Sequence, residues 1–256
     1  MERQNNSKTP TLSQILPPLE FQNPFSNLVK ANDASTFLPM HYEKNYSYPL
    51  IIWLADPAQG SIASAGKKRV DRSAHRLSQI MPKISLRNYL GVAPSIPFDP
   101  DNDSLLELDI NDQVFDCLDR VALQYNIRSD RVFIAGSGLG GSQALRLAMT
   151  HSEYFAGAIS LGGGLPQSPA FMGDLRNTRK TPLFMAHCRE NHWLDESTFC
   201  ENLKSLHVGG FSVTARQYPG QQLVNDRMLG DVDVWIMEII NGYDMTATDP
   251  AAHEFN

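Results

Sequence analysis

The sequence has 256 residues, 42% of them hydrophobic and 20% charged, with a formal net charge of -6. This composition is typical of a globular protein, and the acidic balance disfavours nucleic-acid binding, which needs a basic patch. Three cysteines make no disulfide framework, the first residues show no secretory signal, and no apolar run reaches the roughly 18 to 20 residues of a membrane helix, which favours a cytoplasmic protein without a membrane span.

The two ends of the chain differ in composition from the middle. Residues 1–34 are rich in Asn, Ser, Gln and Pro and show no sustained hydrophobic period, which predicts a polar N-terminal arm, either flexible or extended along the surface. Residues 243–256 look similar and are predicted as a C-terminal tail. The segment between them, residues 35–242, is predicted to form one domain.

Short apolar runs in this middle segment predict β-strands. The first run, residues 48–54, is apolar on both faces, as expected of a central strand that helices cover. The last run, residues 211–216, alternates between apolar and polar side chains, which indicates a strand nearer the sheet edge. The other predicted strands are residues 88–94, 131–135, 156–161 and 182–186.

Helix-length amphipathic segments separate these runs. Apolar residues recur at three- and four-residue steps in residues 105–125, and the same rule predicts helices at 142–150, 196–207 and 232–241. This strand–helix alternation predicts an α/β fold, with a mainly parallel central sheet and helices on both faces. Ligands of such sheets bind beyond the carboxyl ends of the strands, so the chemistry is expected in the loops after Ala55, Ala135, His187 and Tyr218.

The most informative segment is residues 132–145, which reads V-F-I-A-G-S-G-L-G-G-S-Q-A-L. A buried strand, a glycine-dense turn and a helix are the context of a nucleophile elbow, whose pattern is G-x-S-x-G. The pentapeptide here is Gly136-Ser137-Gly138-Leu139-Gly140. The glycine frame of the elbow is present, and its apex is Gly138 in place of the nucleophile.

With this motif the chain resembles the phospholipase/carboxylesterase group of α/β-hydrolases, which are serine esterases with an elbow like G-F-S-Q-G-G-A-M-A-L. Gly136, Gly140, Gly141, Ala144 and Leu145 match that pattern without a gap. The resemblance covers roughly residues 35–242 and implies the α/β-hydrolase fold. It assigns the nucleophile position to Gly138.

Two more family motifs imply that the rest of the catalytic triad is also degenerate. The family's strand before the catalytic acid commonly ends like H-G-x-x-D, and the matching residues 187–191 place the acid position on Asn191. The family's catalytic histidine follows a phrase like Y-P-G-G-H. The matching residues 218–222 place that position on Gln222.

The loop after the first predicted strand also departs from the family, which often has H-G there. This chain has Ala55-Asp56-Pro57. The family's loop lends a second backbone N–H to the oxyanion hole, but Pro57 has no N–H, and the charge of Asp56 would repel an oxyanion. The N–H of Leu139 is left as the single expected donor.

These substitutions remove the chemistry of a serine esterase. Glycine has no atom that attacks a carbonyl, and a glutamine amide takes up no proton near neutral pH. Loss of a serine triad costs on the order of 10⁶ in kcat. The sequence therefore predicts a pseudoenzyme without a cofactor or metal, which keeps the hydrolase fold to bind a small acyl-type ligand or a protein partner.

Two alternatives remain at this stage. An active ester hydrolase would need a relocated nucleophile, either Ser137 beside the apex or Cys188, which lies near His187 and His192 in the sequence. A mainly structural role would be carried by the arm of residues 1–34 or by an oligomer interface. A metal site at His187, Glu190 and His192 is a further possibility, but the spacing of these residues matches no strong ligand pattern.

Overall fold

The computed structural model describes residues 28–31, 34–56, 73–94, 106–166, 178–191 and 194–242. Their strands form one sheet with the order β1-β2-β4-β3-β5-β6-β7-β8. In chain order the strands are β1 Leu28–Ala31, β2 Ala34–Phe37, β3 Tyr48–Leu54, β4 Leu90–Pro94, β5 Ile127–Ser137, β6 Gly157–Leu161, β7 Leu183–Cys188 and β8 Val213–Tyr218.

The sheet is mainly parallel, as predicted. Strands β3 to β8 all run in the same direction, while β1 and β2 add an antiparallel pair at one edge. Strand β8 forms the other edge, which confirms the interpretation of its alternating pattern. Strand β1 falls within residues 1–34, the predicted arm; residues 1–27 and the predicted tail 243–256 lie outside the described residues.

Helices cover both faces of the sheet, which confirms the α/β prediction. The apolar side chains of α2, α3 and α4 pack in one core cluster, and those of α1 and α5 pack in a second cluster on the opposite face. The described helices are α1 Ser73–Ile84, α2 Leu106–Gln124, α3 Leu139–Thr150, α4 Glu196–Gly209 and α5 Asp226–Ile240.

Two helices differ from the prediction at their starts. Helix α5 begins at Asp226, before the predicted 232–241, because the side chain of Asn225 caps it by accepting a hydrogen bond from the backbone N–H of Met228 at 2.9 Å. Helix α3 begins at Leu139, before the predicted 142–150, since the elbow passes directly into the helix. Helix α1 was absent from the predicted set.

The carboxyl ends of the parallel strands meet at one edge of the sheet. Strand β3 ends beside β5, with Leu54 paired to Gly136, and β7 ends beside β8, with Cys188 paired to Tyr218. The loops chosen from the sequence therefore lie along the same edge. Within the described part of the chain, no helix combines the length and apolarity that a membrane crossing needs.

Candidate functional site

The turn between β5 and α3 has the backbone of a tight elbow. Its apex, Gly138, has φ 55° and ψ -125°, a conformation that side-chain-bearing residues adopt only under strain. Backbone hydrogen bonds hold it in place. The N–H of Gly138 donates to the carbonyl of Leu161 at 2.9 Å, and the N–H of Ser142 donates to the carbonyl of Gly138 at 3.1 Å.

The second glycine of the frame lets α3 approach β3 closely. A Cβ placed on Gly140 would lie 2.8 Å from the carbonyl carbon of Leu54 and closer still to its oxygen. Backbone atoms of a central strand cannot move aside for a side chain. The glycine pattern read from the sequence thus corresponds to a real close contact between two backbones.

The apex of the elbow faces the carboxylate of Asp56. A Cβ placed on Gly138 would lie 2.9 Å from Cγ of Asp56 and closer still to Oδ2. Asp56 is only 3% exposed, and Gly138 is buried as well. Asp56 was predicted to lie in the oxyanion-hole region; the structure places its carboxylate where a nucleophile's side chain would begin. Pro57 lies outside the described residues.

Asn191, the predicted acid position, is buried directly after β7. Its backbone N–H donates to the carbonyl of Cys188 at 3.0 Å, which closes a tight turn at the end of the strand. Its side-chain nitrogen lies 3.2 Å from the place where a Cβ on Gly162 would be. Gly162 follows β6, so Asn191 lies beside the loop next to the elbow.

Gln222, the predicted histidine position, is exposed in the loop between β8 and α5. The next residue, Leu223, points towards Gly162: a Cβ placed on Gly162 would lie 2.7 Å from Cδ2 of Leu223. The loops after β7 and β8 are also joined by backbone hydrogen bonds, from Arg189 to Tyr218 at 3.0 Å and from Glu190 to Gly220 at 3.2 Å. The structure therefore brings the loops of the acid and histidine positions together.

Ser137, the first alternative nucleophile, is the last residue of β5 and is 1% exposed. Its Oγ has no hydrogen-bond partner among the described residues, so no described base is placed to activate it. On the alternating strand it lies on the same face as Phe133 and Ala135, which belong to the core cluster of α1 and α5.

Cys188, the second alternative, is buried in that same core cluster. Burial raises the pKa of its thiol, with a smaller opposing effect from the amide of Asn225, which lies 3.9 Å from Sγ. A thiol that stays protonated is a weak nucleophile. Its neighbour His187 stacks on Phe199 of α4 on the other face of the sheet, with ring centroids 4.9 Å apart, so the two form no Cys/His pair.

The proposed grouping of His187, Glu190 and His192 can be followed only in part, because His192 lies outside the described residues. Within the described ranges, no three His, Cys, Asp or Glu side chains are grouped so that they could hold a metal ion. The imidazole of His187 is fully buried, and neither ring nitrogen has a hydrogen-bond partner among the described residues. Burial lowers the pKa of His187, with Glu196 and Asp195 opposing this.

This burial predicts a pH dependence of stability. Below a pH of about 6.5, His187 takes up a proton in the unfolded chain, whereas its lowered pKa keeps it neutral in the folded chain. The stability that depends on a neutral His187 is therefore fully present above that pH and is lost as the pH falls further. We expect the free energy of unfolding of the wild type to fall relative to that of His187→Leu between pH 7.5 and pH 5, as measured by urea denaturation. Parallel pH profiles for the two proteins would contradict this.

The comparison with known families fits the geometry of the elbow. Residues 98–238, more than half of the chain, match the phospholipase/carboxylesterase family. The chain belongs to this family. A search among curated proteins gave no match.

Several solved structures share the fold of this phospholipase/carboxylesterase family member. SOBER1 of Arabidopsis thaliana is 18% identical with a TM-score of 0.61, and the match covers 76% of this chain and 100% of that one. A phospholipase/carboxylesterase of Dyadobacter fermentans is 16% identical with a TM-score of 0.57, covering 81% and 97%. A ferulic acid esterase of Anaeromyces mucronatus is 10% identical with a TM-score of 0.58, covering 82% and 87%. Identities this low show the fold alone.

Sequence reasoning about this family member missed the contact between Asp56 and Gly138. The sequence predicts that both residues lie in loops at the carboxyl edge of the sheet, that the charge of Asp56 repels an oxyanion and that the loop of Asp56 could close the pocket, but it does not predict that the carboxylate meets the apex. The available signal was the expected adjacency of the strands that precede the two loops. Asp56 follows β3 and the apex Gly138 follows β5, the neighbouring strand in the sheet. In this arrangement the side chain of Asp56 can fill the space that a side chain at residue 138 would occupy.

Proposed function

We infer that this protein is a non-catalytic member of the phospholipase/carboxylesterase family, which keeps the fold to bind a small acyl-type ligand or a protein partner. The observation that carries the proposal is the elbow itself. Its backbone keeps the conformation of a strained nucleophile turn, while its apex is Gly138 and the adjoining space holds the carboxylate of Asp56.

The other side chains at this edge support the same conclusion. Asn191 has no carboxylate charge with which to orient a histidine, and Gln222 has no imidazole to take up a proton. Ser137 and Cys188 are both buried, Cys188 in the core cluster of α1 and α5, and burial raises the pKa of the Cys188 thiol. Neither has the access or the activation that a nucleophile needs.

Turnover of p-nitrophenyl acetate and butyrate tests the proposal. We expect the rate of the wild type to lie on the order of 10⁶ below that of a serine esterase, since the whole triad is missing. Ser137→Ala and Cys188→Ala should leave this low rate unchanged. Cys200→Ala is the matched control for background reaction of a thiol with the ester, because the exposed Cys200 thiol can be acylated without any active site.

A fluorophosphonate probe read by mass spectrometry provides the second measurement. We expect no labelled residue at the carboxyl edge of the sheet. Turnover that Ser137→Ala or Cys188→Ala abolishes, together with labelling of the same residue, would show that the protein is an active hydrolase with a relocated nucleophile.

A further inference from the structure

The contact between Asp56 and Gly138 links two substitutions that lie far apart in the sequence. Asp56 Oδ2 and Cγ occupy the volume in which any side chain on residue 138 would have to begin, whereas Cβ of Asp56 lies at an ordinary contact distance of 3.4 Å from that point. The overlap is therefore confined to the carboxylate group. Shortening residue 56 to alanine would remove it.

Neither backbone can retreat from this contact. Strand β3 is held against β5 by parallel pairing from Leu50 to Leu54, and the close approach of Gly140 fixes the end of β3 against the first turn of α3. On the other side, the carbonyl of Gly138 packs closely against Gly163, since a Cβ placed on Gly163 would overlap the carbonyl oxygen. The hydroxyl of Ser160 donates to the carbonyl of Gly163 at 2.9 Å and holds that loop in place.

The electrostatic environment suits a carboxylate at this point. Helix α3 has 12 residues and begins at Leu139, immediately after the apex. The N-terminal end of a helix carries a partial positive charge that favours an anion close to it. In an active elbow this end of the helix faces the oxygen that becomes negative during acyl transfer.

We propose that Asp56 is an internal carboxylate that fills the nucleophile position of the elbow, so that Gly138 is required by Asp56 and no ligand carbonyl reaches the apex while the carboxylate is there. This inference rests on the proposed function and narrows it: an acyl-type ligand of the wild type would have to bind away from the closed apex. In the wild type, the side chain of Asp56 closes the apex of the elbow. When this side chain is removed, we expect the same position to bind a short carboxylate such as formate.

The first test measures the coupling between residues 56 and 138 by thermal denaturation. We expect Gly138→Ala to lower Tm by about 5 °C or more in the wild type, because the new Cβ overlaps the carboxylate and the positive φ is strained. In an Asp56→Ala background the same change should lower Tm by less than about half as much. Asp56→Asn is the matched control: it keeps the bulk without the charge, so the full decrease should remain.

The second test refills the position with an external anion. Formate matches the group that Asp56→Ala removes, so formate should raise the Tm of this variant with increasing concentration, by about 3 °C when well above its Kd. Sodium chloride at equal ionic strength should not. The wild type and Asp56→Asn should not respond to formate either, because their position is filled. If Asp56→Ala does not fold, Asp56→Gly removes the same overlapping atoms and takes the place of Asp56→Ala in both tests.

The outcomes separate this inference from the proposed function. Equal decreases in Tm for Gly138→Ala in the wild-type and Asp56→Ala backgrounds, or a formate response of the wild type as large as that of Asp56→Ala, would overturn the internal carboxylate. Ester turnover by the wild type that depends on Ser137 or Cys188 would overturn the proposed function instead.

Discussion

Replacing Gly140 with alanine is expected to destabilise the protein by about 3 kcal/mol. The new Cβ would lie 2.8 Å from the carbonyl carbon of Leu54, 3.0 Å from that of Ala55, and closer still to the carbonyl oxygen of Leu54. All of these are backbone atoms at the end of β3. Relief therefore requires α3 to move away from the sheet, which would open the core beneath Ala144 and Leu145, both fully buried.

Chemical denaturation measures this loss, and Gly230→Ala provides the control. Gly230 lies in α5, where a Cβ would meet nothing within 4 Å. The control should therefore gain about 0.5–1 kcal/mol, the usual difference between alanine and glycine inside a helix. A Gly140→Ala protein as stable as the wild type would show that α3 does not approach β3 this closely.

The second large effect is expected for Trp235→Ala, at about 3–5 kcal/mol. The indole of Trp235 is 2% exposed and attaches α5 to the sheet. Its ring centroid lies 5.6 Å from that of Phe184 and 6.3 Å from that of Phe133, and its Nε1 donates to Oγ1 of Thr214 at 3.2 Å. Alanine would remove these contacts together and leave a cavity.

The adjacent residue Val234 is the control for this change. It lies on the same helix but is 57% exposed, so Val234→Ala should alter stability by no more than about 0.5 kcal/mol. We expect Tm to fall by about 10 °C for Trp235→Ala and to stay nearly constant for Val234→Ala. Similar shifts for the two variants would show that α5 is held to the sheet by something other than the indole.

The sequence was sufficient to predict the parallel sheet and the position of the elbow. The central strands contain buried apolar runs, such as residues 48–54 of β3 and 132–135 of β5, because helices cover both of their faces. The turn after β5 has the glycines that its close contacts require, and these glycines are visible in the sequence. Both signals are local. The assignment of Gly138 to the apex also rests on local landmarks, because its neighbours at Gly136 and Gly140 match the family pattern.

Other parts of the structure depend on contacts that no local pattern contains. Helix α1 has buried residues Leu77, Ile80, Met81 and Ile84 at helical spacing, but it also contains Pro82, which disfavours a helix when the sequence is read alone. Strands β1 and β2 have four residues each, and their structure depends on the pairing of β1 with β2 and of β2 with β4. The contact between Asp56 and Gly138 likewise depends on the pairing of β3 with β5.

The position of the Asp56 carboxylate also constrains how a nucleophile could arise at residue 138 by mutation. A serine introduced at residue 138 would overlap the carboxylate of Asp56. The mutation would therefore lower stability without any gain in activity to offset the loss. Loss of the carboxylate has to come first, and then the serine is tolerated. The order of the two mutations is therefore set: loss of the carboxylate precedes gain of the serine.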